Sequence, residues 1–285
     1  MTPTSTMSTM STRKSMLPPP AAAAQALPRG TLLAAVVAVA GFQLRRLFTL
    51  PRLAIAALGV LFPAAVLLAV RTTLSGSMDG TVVVILYALI PEAVCMLGLL
   101  VTMCPAVADE LERGTWAHIA VRPHGRRALL LGTFVAAVTW TAAVAILALC
   151  LALATSGIAH PWRRFPLFAA LVGLSCLGRA ALFALPAVIV PKRALVASVG
   201  VAIVVEYLAG FLPAVVNQLT VSLRLRSLLV QGMGWGRQMP ADMQLLIDPN
   251  PVWVQCGAVV LLAGVLLVAS VLILDRRQFP PSEEG

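Results

Sequence analysis

Read for apolar and polar positions, the chain alternates long stretches without charge and short stretches where charge collects. Leu53–Val70 contains no polar side chain at all. Similar runs recur at Thr81–Pro105, Leu129–Ala154, Phe165–Val190, Ala194–Val215 and Val252–Leu274. Each matches the roughly 20 residues a helix needs to cross the hydrocarbon core of a bilayer. Helices are expected because an unpaired backbone group in lipid costs several kcal/mol. The pattern predicts an all-α, polytopic membrane protein with six transmembrane helices occupying 53–274. Pro63, Pro91, Gly98, Gly173, Pro186 and Gly264 inside these runs are tolerable for helices packed in lipid.

The flanking segments read differently. Residues 1–30 are rich in Ser, Thr, Pro and Ala, carry no acidic residue and show no helical period, so a disordered tail is expected. Residues 31–48 form an apolar run closed by Arg45 and Arg46, which predicts a helix lying along the cytoplasmic face. Residues 275–285 form a short cytoplasmic tail. Residues 216–250 are too long for a simple turn, and Asn217–Gly232 alternates apolar and polar positions like an amphipathic helix. "DPNP" at 248–251 resets the chain before the last span.

Composition agrees with the membrane assignment. Hydrophobic residues make up 60% of the 285 and charged ones 11%, against about 25% charged in an ordinary soluble domain. With both termini cytoplasmic, eleven Lys and Arg residues flank the spans inside: Arg45, Arg46, Arg52, Arg113, Arg122, Arg126, Arg127, Lys192, Arg193, Arg276 and Arg277. Six fall outside: Arg71, Arg163, Arg164, Arg224, Arg226 and Arg237. The positive-inside rule therefore orients the chain with both ends in the cytoplasm. A signal-peptide reading of the run after Arg29, cleaved after Ala40, inverts every span and puts the eleven outside, against that rule. The net charge of +10 suits basic loops facing anionic lipid and calls for no nucleic acid. Lysine is nearly absent beside arginine, which by association points to a GC-rich bacterium and its cell (inner) membrane.

Catalytic signatures do not emerge. Cys95, Cys104, Cys150, Cys176 and Cys256 all lie in predicted spans without paired spacing, and read as small buried hydrophobes. His118, His124 and His160 share no ligand spacing, and no metal site is expected. No Ser-His-Asp order, HExxH helix or G-x-x-x-x-G-K-[ST] loop occurs, so an enzyme and ATP binding by this chain are not expected.

One internal segment breaks the apolar rhythm. Ala108–Arg127 carries seven charged residues in twenty, between the second and third spans. Ala106–Ala120 has helix-forming composition, with Asp109, Glu110 and Glu112 near the membrane exit and Pro123 ending the helix. Val107, Leu111, Trp116, Ile119 and Ala120 add an apolar stripe. The expectation is one short amphipathic helix outside the membrane, with Trp116 exposed for docking to a soluble partner. A plain solvated connector is the alternative.

Here the chain resembles the type-2 ATP-binding-cassette (ABC) permeases. That family carries acid-x-acid-x-Gly-Thr after its second span, then a hydrophobic stretch, a Pro, a basic pair and a Gly opening the third span. The matching residues are Glu110, Glu112, Gly114, Thr115, Pro123, Arg126, Arg127 and Gly132; the Lys that often follows that Gly is Thr133 here. The order of elements is also similar, from interfacial helix to basic C-terminal end (Asp275, Arg276, Arg277). The resemblance implies the permease half of an exporter, working as a dimer with a second copy or paralogue. It further implies that segment 106–127, with Trp116, is a coupling helix seated in a separate ABC ATPase subunit, which binds ATP and Mg. Gly114 would let the helix bend or let the partner backbone approach closely. The segment 216–250 would be a re-entrant helical hairpin on the outer side, an interfacial loop with Trp235 and Trp253 as anchors being the alternative.

Three ionisable residues lie within spans: Glu92, Arg179 and Glu206. A charge at the bilayer centre costs about 2.5–3.5 kcal/mol on insertion scales, so each should face protein or water and have a partner. Arg179 is expected to pair with one glutamate, leaving the other protonated or in a wet cavity. The three either fix helix register or line the pathway. The second functional class, a stand-alone secondary transporter or channel, would use these charges and should show paired interrupted spans in two halves. No convincing internal repeat is found.

Overall fold

The computed structural model describes residues 31–73, 79–122, 124–157, 160–208, 220–235 and 250–277. Among them the chain is helical, with no strand. α1 (Leu32–Leu47) opens with Thr31 as N-cap, its hydroxyl accepting from the Ala34 N–H at 3.4 Å. α2 spans Leu50–Thr73. The second apolar run is one continuous rod, Asp79–Glu112, built from α3 (Asp79–Tyr87), a π-helical segment (Ala88–Val94), α4 (Cys95–Met103) and α5 (Pro105–Glu112). α6 (Trp116–Val121) follows, then α7 (Gly125–Thr155) and α8 (Phe165–Ile189). α9 (Ala194–Val201) runs into a second π-helical segment, Ala202–Leu208. α10 (Val221–Met233) and α11 (Val252–Arg276) complete the described elements.

Five helices are long and apolar enough to cross a membrane: α2, the rod 79–112, α7, α8 and α11. This suits a multi-pass membrane protein. Of the predicted span Ala194–Val215, residues 194–208 are helical and the remainder lies outside the described residues. The predicted tail 1–30, Pro123, Arg237 and residues 278–285 also lie outside them.

α8 is the central helix. Two-thirds (67%) of its apolar window is buried, against 17% for α2 and 22% for α11. Small residues make this possible, as at other close helix contacts in membranes. Gly178, Ala180, Ala181, Ala184 and Ala187 are buried. A Cβ on Gly178 would lie 2.9 Å from a Val221 methyl and 3.3 Å from one of Val259, so α10 and α11 both press on this point. The outward faces of α2 (Leu53, Leu58, Leu61, Leu68) and α11 (Leu261, Val265, Val268, Leu272) are exposed and apolar, as a lipid-facing surface requires. α1 packs along α7. Gly132 admits it, since a Cβ there would meet the Val39 Cβ at 2.7 Å and the Val36 carbonyl at 3.0 Å.

The segment expected as a single helix over 106–120 is two helices. α5 continues the membrane rod to Glu112, and the chain then turns at Arg113–Thr115 before α6. Gly114 takes φ +67°, a left-handed conformation that glycine adopts without the Cβ penalty.

Candidate functional site

Two hydrophobic clusters divide the core along α8. One takes α8 residues up to Cys176, the other starts at Ala180, and Arg179 sits at the division. Its side chain is fully buried. Sequence reasoning gave Arg179 one glutamate; the structure gives it both. Its Nη2 is paired with Glu92 Oε2, and with Glu206 Oε2 at 3.3 Å. Its Nη1 donates to the Ser175 hydroxyl at 2.7 Å and also to the Pro91 carbonyl. Arg179 Nε has no partner among the described residues.

Neither glutamate is left over. Glu92 Oε1 accepts from the Tyr87 hydroxyl at 2.6 Å and from the Ser222 hydroxyl at 2.8 Å. Glu206 accepts the backbone N–H groups of Val221 (3.3 Å) and Ser222 (3.0 Å), the first two of α10. A carboxylate there satisfies two amides that the helix leaves without internal partners and faces the positive end of its dipole. That end carries roughly half a unit of positive charge. Two carboxylates are thus met by one guanidinium and one helix terminus, which offsets much of the desolvation cost of burying them.

Both glutamates stand on π-helical segments, Glu92 in Ala88–Val94 and Glu206 in Ala202–Leu208. Such segments are rare and often mark functional positions. Pro91 explains the first, because it lacks an N–H and its ring crowds the preceding turn. The widened winding leaves the Pro91 carbonyl to Ser175, at 2.6 Å, and Arg179. It also brings residues five apart, such as Tyr87 and Glu92, closer to one side. The cluster therefore ties the second rod, α8, the segment after α9 and the start of α10 at one depth, midway along α8. The amphipathic helix read at 217–232 exists as α10, but its first turn is packed at this depth. Sequence reasoning missed Tyr87, Ser175 and Ser222. Ser175 stands one helical turn before Arg179, a legible signal; Ser222 offered none.

The charged segment is placed less simply. Asp109 and Glu110 hold α1: Arg46 bonds Asp109 Oδ2 at 3.0 Å and Glu110 Oε1 at 2.9 Å. Thr115 donates its hydroxyl to Glu110 at 2.5 Å across the Gly114 turn. The expected exposure of Trp116 is not found. It is 7% exposed, within the buried cluster that includes Val107, Leu130 and Val188, and Arg126 lies over its ring at 5.9 Å. The apolar stripe that suggested docking is used to seat α6 on the bundle. Arg126 donates to the carbonyls of Asp275 (3.1 Å) and Arg277 (3.2 Å), and Arg127 bonds the Asp275 carboxylate at 2.8 Å. The basic pair thus fastens the end of α11. Of Asp109, Glu110 and Glu112, only Glu112 is exposed.

A scan against protein-family models and a search of curated proteins return no match for this chain.

Proposed function

We propose that this chain is the membrane permease subunit of an ABC exporter. In this reading it crosses the membrane six times with both termini in the cytoplasm, Ala194–Val215 being the fifth crossing, in addition to the five long apolar helices. It pairs with a second copy or paralogue, and a separate ATPase supplies ATP hydrolysis. The observation that carries the reading is α6. This short helix is set off from the second rod by the Gly114 turn, is anchored on one side by Trp116, and presents His118 and Val121 outward, beside the exposed Glu112 that ends α5. Val121 is 86% exposed at a polar end of the bundle, where an apolar side chain gains by meeting a partner pocket. The alternative class, a secondary transporter or channel using Glu92, Arg179 and Glu206, is less favoured because these charges are already matched to one another and to α10.

The test uses the full chain, tagged and purified from its own membranes. The expected companion is an ATPase with a phosphate-binding loop, retained with ATP-hydrolysing activity. Glu112→Lys with Val121→Asp touches no internal contact, so the permease should still melt as the parent does. Retained ATPase should fall roughly tenfold or more, as like-charge and buried-charge contacts at an interface require. Full retention of the ATPase by this variant, or transport without any ATPase, overturns the reading.

A further inference from the structure

A cleft of about 280 Å³ opens beside the start of α7 and the end of α11, lined by Arg122, His124, Gly125, Arg126, Arg127 and Asp275. Three arginines face one aspartate, and that aspartate is already bonded to Arg127 at 2.8 Å. Arg126 is turned to neutral carbonyls and the Trp116 ring, which leave its charge uncancelled. Arg122 is exposed and makes no ion pair among the described residues. The first turn of α7 has no side-chain N-cap and no acidic residue, and although the Gly125 N–H bonds the Arg122 carbonyl at 3.0 Å, the positive end of the helix dipole adds to the same field. Arg277 bonds the carbonyls of Val188 and Ile189, which brings the end of α8, followed by the exposed Lys192 and Arg193, to this end of the bundle.

We propose that this cleft binds a phosphate-bearing anion. Guanidinium forks and helix-start amides match the several acceptor oxygens of a phosphate better than a single carboxylate. Walls on which one charge sign predominates focus the field on whatever enters. Basic pockets between membrane helices take lipid headgroups in this manner. An apolar stripe on α11, Leu261, Val265, Val268 and Leu272, runs down to Asp275 and offers a path for acyl chains above the cleft. Arg122 and His124 are the recognising side chains, while Arg126 and Arg127 shape the wall. The phosphate can come from an acidic phospholipid or from solution. Neither source depends on ATPase docking to α6.

The whole protein, in phosphatidylcholine nanodiscs, is titrated separately with phosphatidylglycerol and with inorganic phosphate, reading melting temperature and, by native mass spectrometry, retained lipid. A rise in melting temperature and retention specific to phosphatidylglycerol assigns the headgroup; a rise with phosphate alone assigns the soluble anion. Arg122→Gln with His124→Gln should weaken the effective ligand by about fivefold or more, the scale for one arginine at an anionic surface. Arg113→Gln removes an equally exposed charge outside the cleft and should change nothing. No response to either titrant, an unchanged response in the cleft variant, or an equal loss in the Arg113 variant overturns the proposal. The melting curve without titrant shows that each variant is folded.

Discussion

Arg46 and Glu110 stand 64 positions apart and meet with Nη1 and Oε1 at 2.9 Å. The Glu110 side chain is only 8% exposed, and the same arginine also holds Asp109, while Arg52 approaches Asp109 at 3.9 Å. Two of the three acids that mark the end of the second rod are therefore committed to the first helix. The charge density that stands out in the sequence has two parts: an inner part that fastens α1, and an outer part, Glu112 with α6, that remains available.

Removing the inner part should loosen α1. Arg46→Ala leaves a nearly buried carboxylate without its cation, at a cost of about 1–3 kcal/mol. Thermal melting in detergent should show the loss. Glu110→Gln should cost less, because Thr115 can still bond the amide. In a double-mutant cycle the two changes should couple. Simple additivity means that α1 is held by its apolar contacts with α7 alone.

The helical class and most span positions were legible, because a run such as Leu53–Val70 admits no other structure in lipid. The chemistry of the buried site was half legible. An arginine and two glutamates in apolar runs announce that they need partners. Their meeting on π-wound segments did not show, since neither hydropathy nor periodicity records a change from i→i+4 to i→i+5 bonding. Trp116 was misread for a related reason. A stripe at helical spacing says that one face is apolar, and not whether the cover is a partner or the chain's own α7 and α8.

At Gly132 the Val39 side chain and the Val36 carbonyl of α1 lie against the glycine. Gly132→Ala should cost about 1–3 kcal/mol through overpacking, and Gly132→Leu should displace α1 outright. Limited proteolysis near Phe48 reads the displacement. Unchanged protection of α1 in Gly132→Leu rules out this close approach as the determinant.

Orientation can be read on α7, whose 31 residues span roughly 46 Å. In a cysteine-free background, a cysteine at His124 should resist an impermeant thiol reagent in intact cells. One at Trp162, 57% exposed beyond the other end, should react. The reverse pattern puts α6 outside the cell and removes any basis for coupling it to a cytoplasmic ATPase.

The strongest effect is expected at Arg179. Arg179→Met keeps the volume near that of the original stem but strands Glu92 and Glu206, both largely buried, without their cation. Breaking a buried pair from one side costs about 3–5 kcal/mol, enough to lower yield or melting temperature sharply. Neutralising one glutamate should recover part of this, and because Arg179 faces both, Glu92→Gln and Glu206→Gln should each couple to it in double-mutant cycles. The two recoveries should differ. Glu92 keeps the Tyr87 and Ser222 hydroxyls as donors, which an amide oxygen can still accept. Glu206 also holds the first two amides of α10 and faces its dipole, so Glu206→Gln removes a favourable charge from that helix start even as it relieves the stranded one. Recovery should thus be larger with Glu92→Gln. Equal recovery places the α10 terminus outside the energetics of the cluster, and coupling to one glutamate alone reduces the three-charge arrangement to a single ion pair.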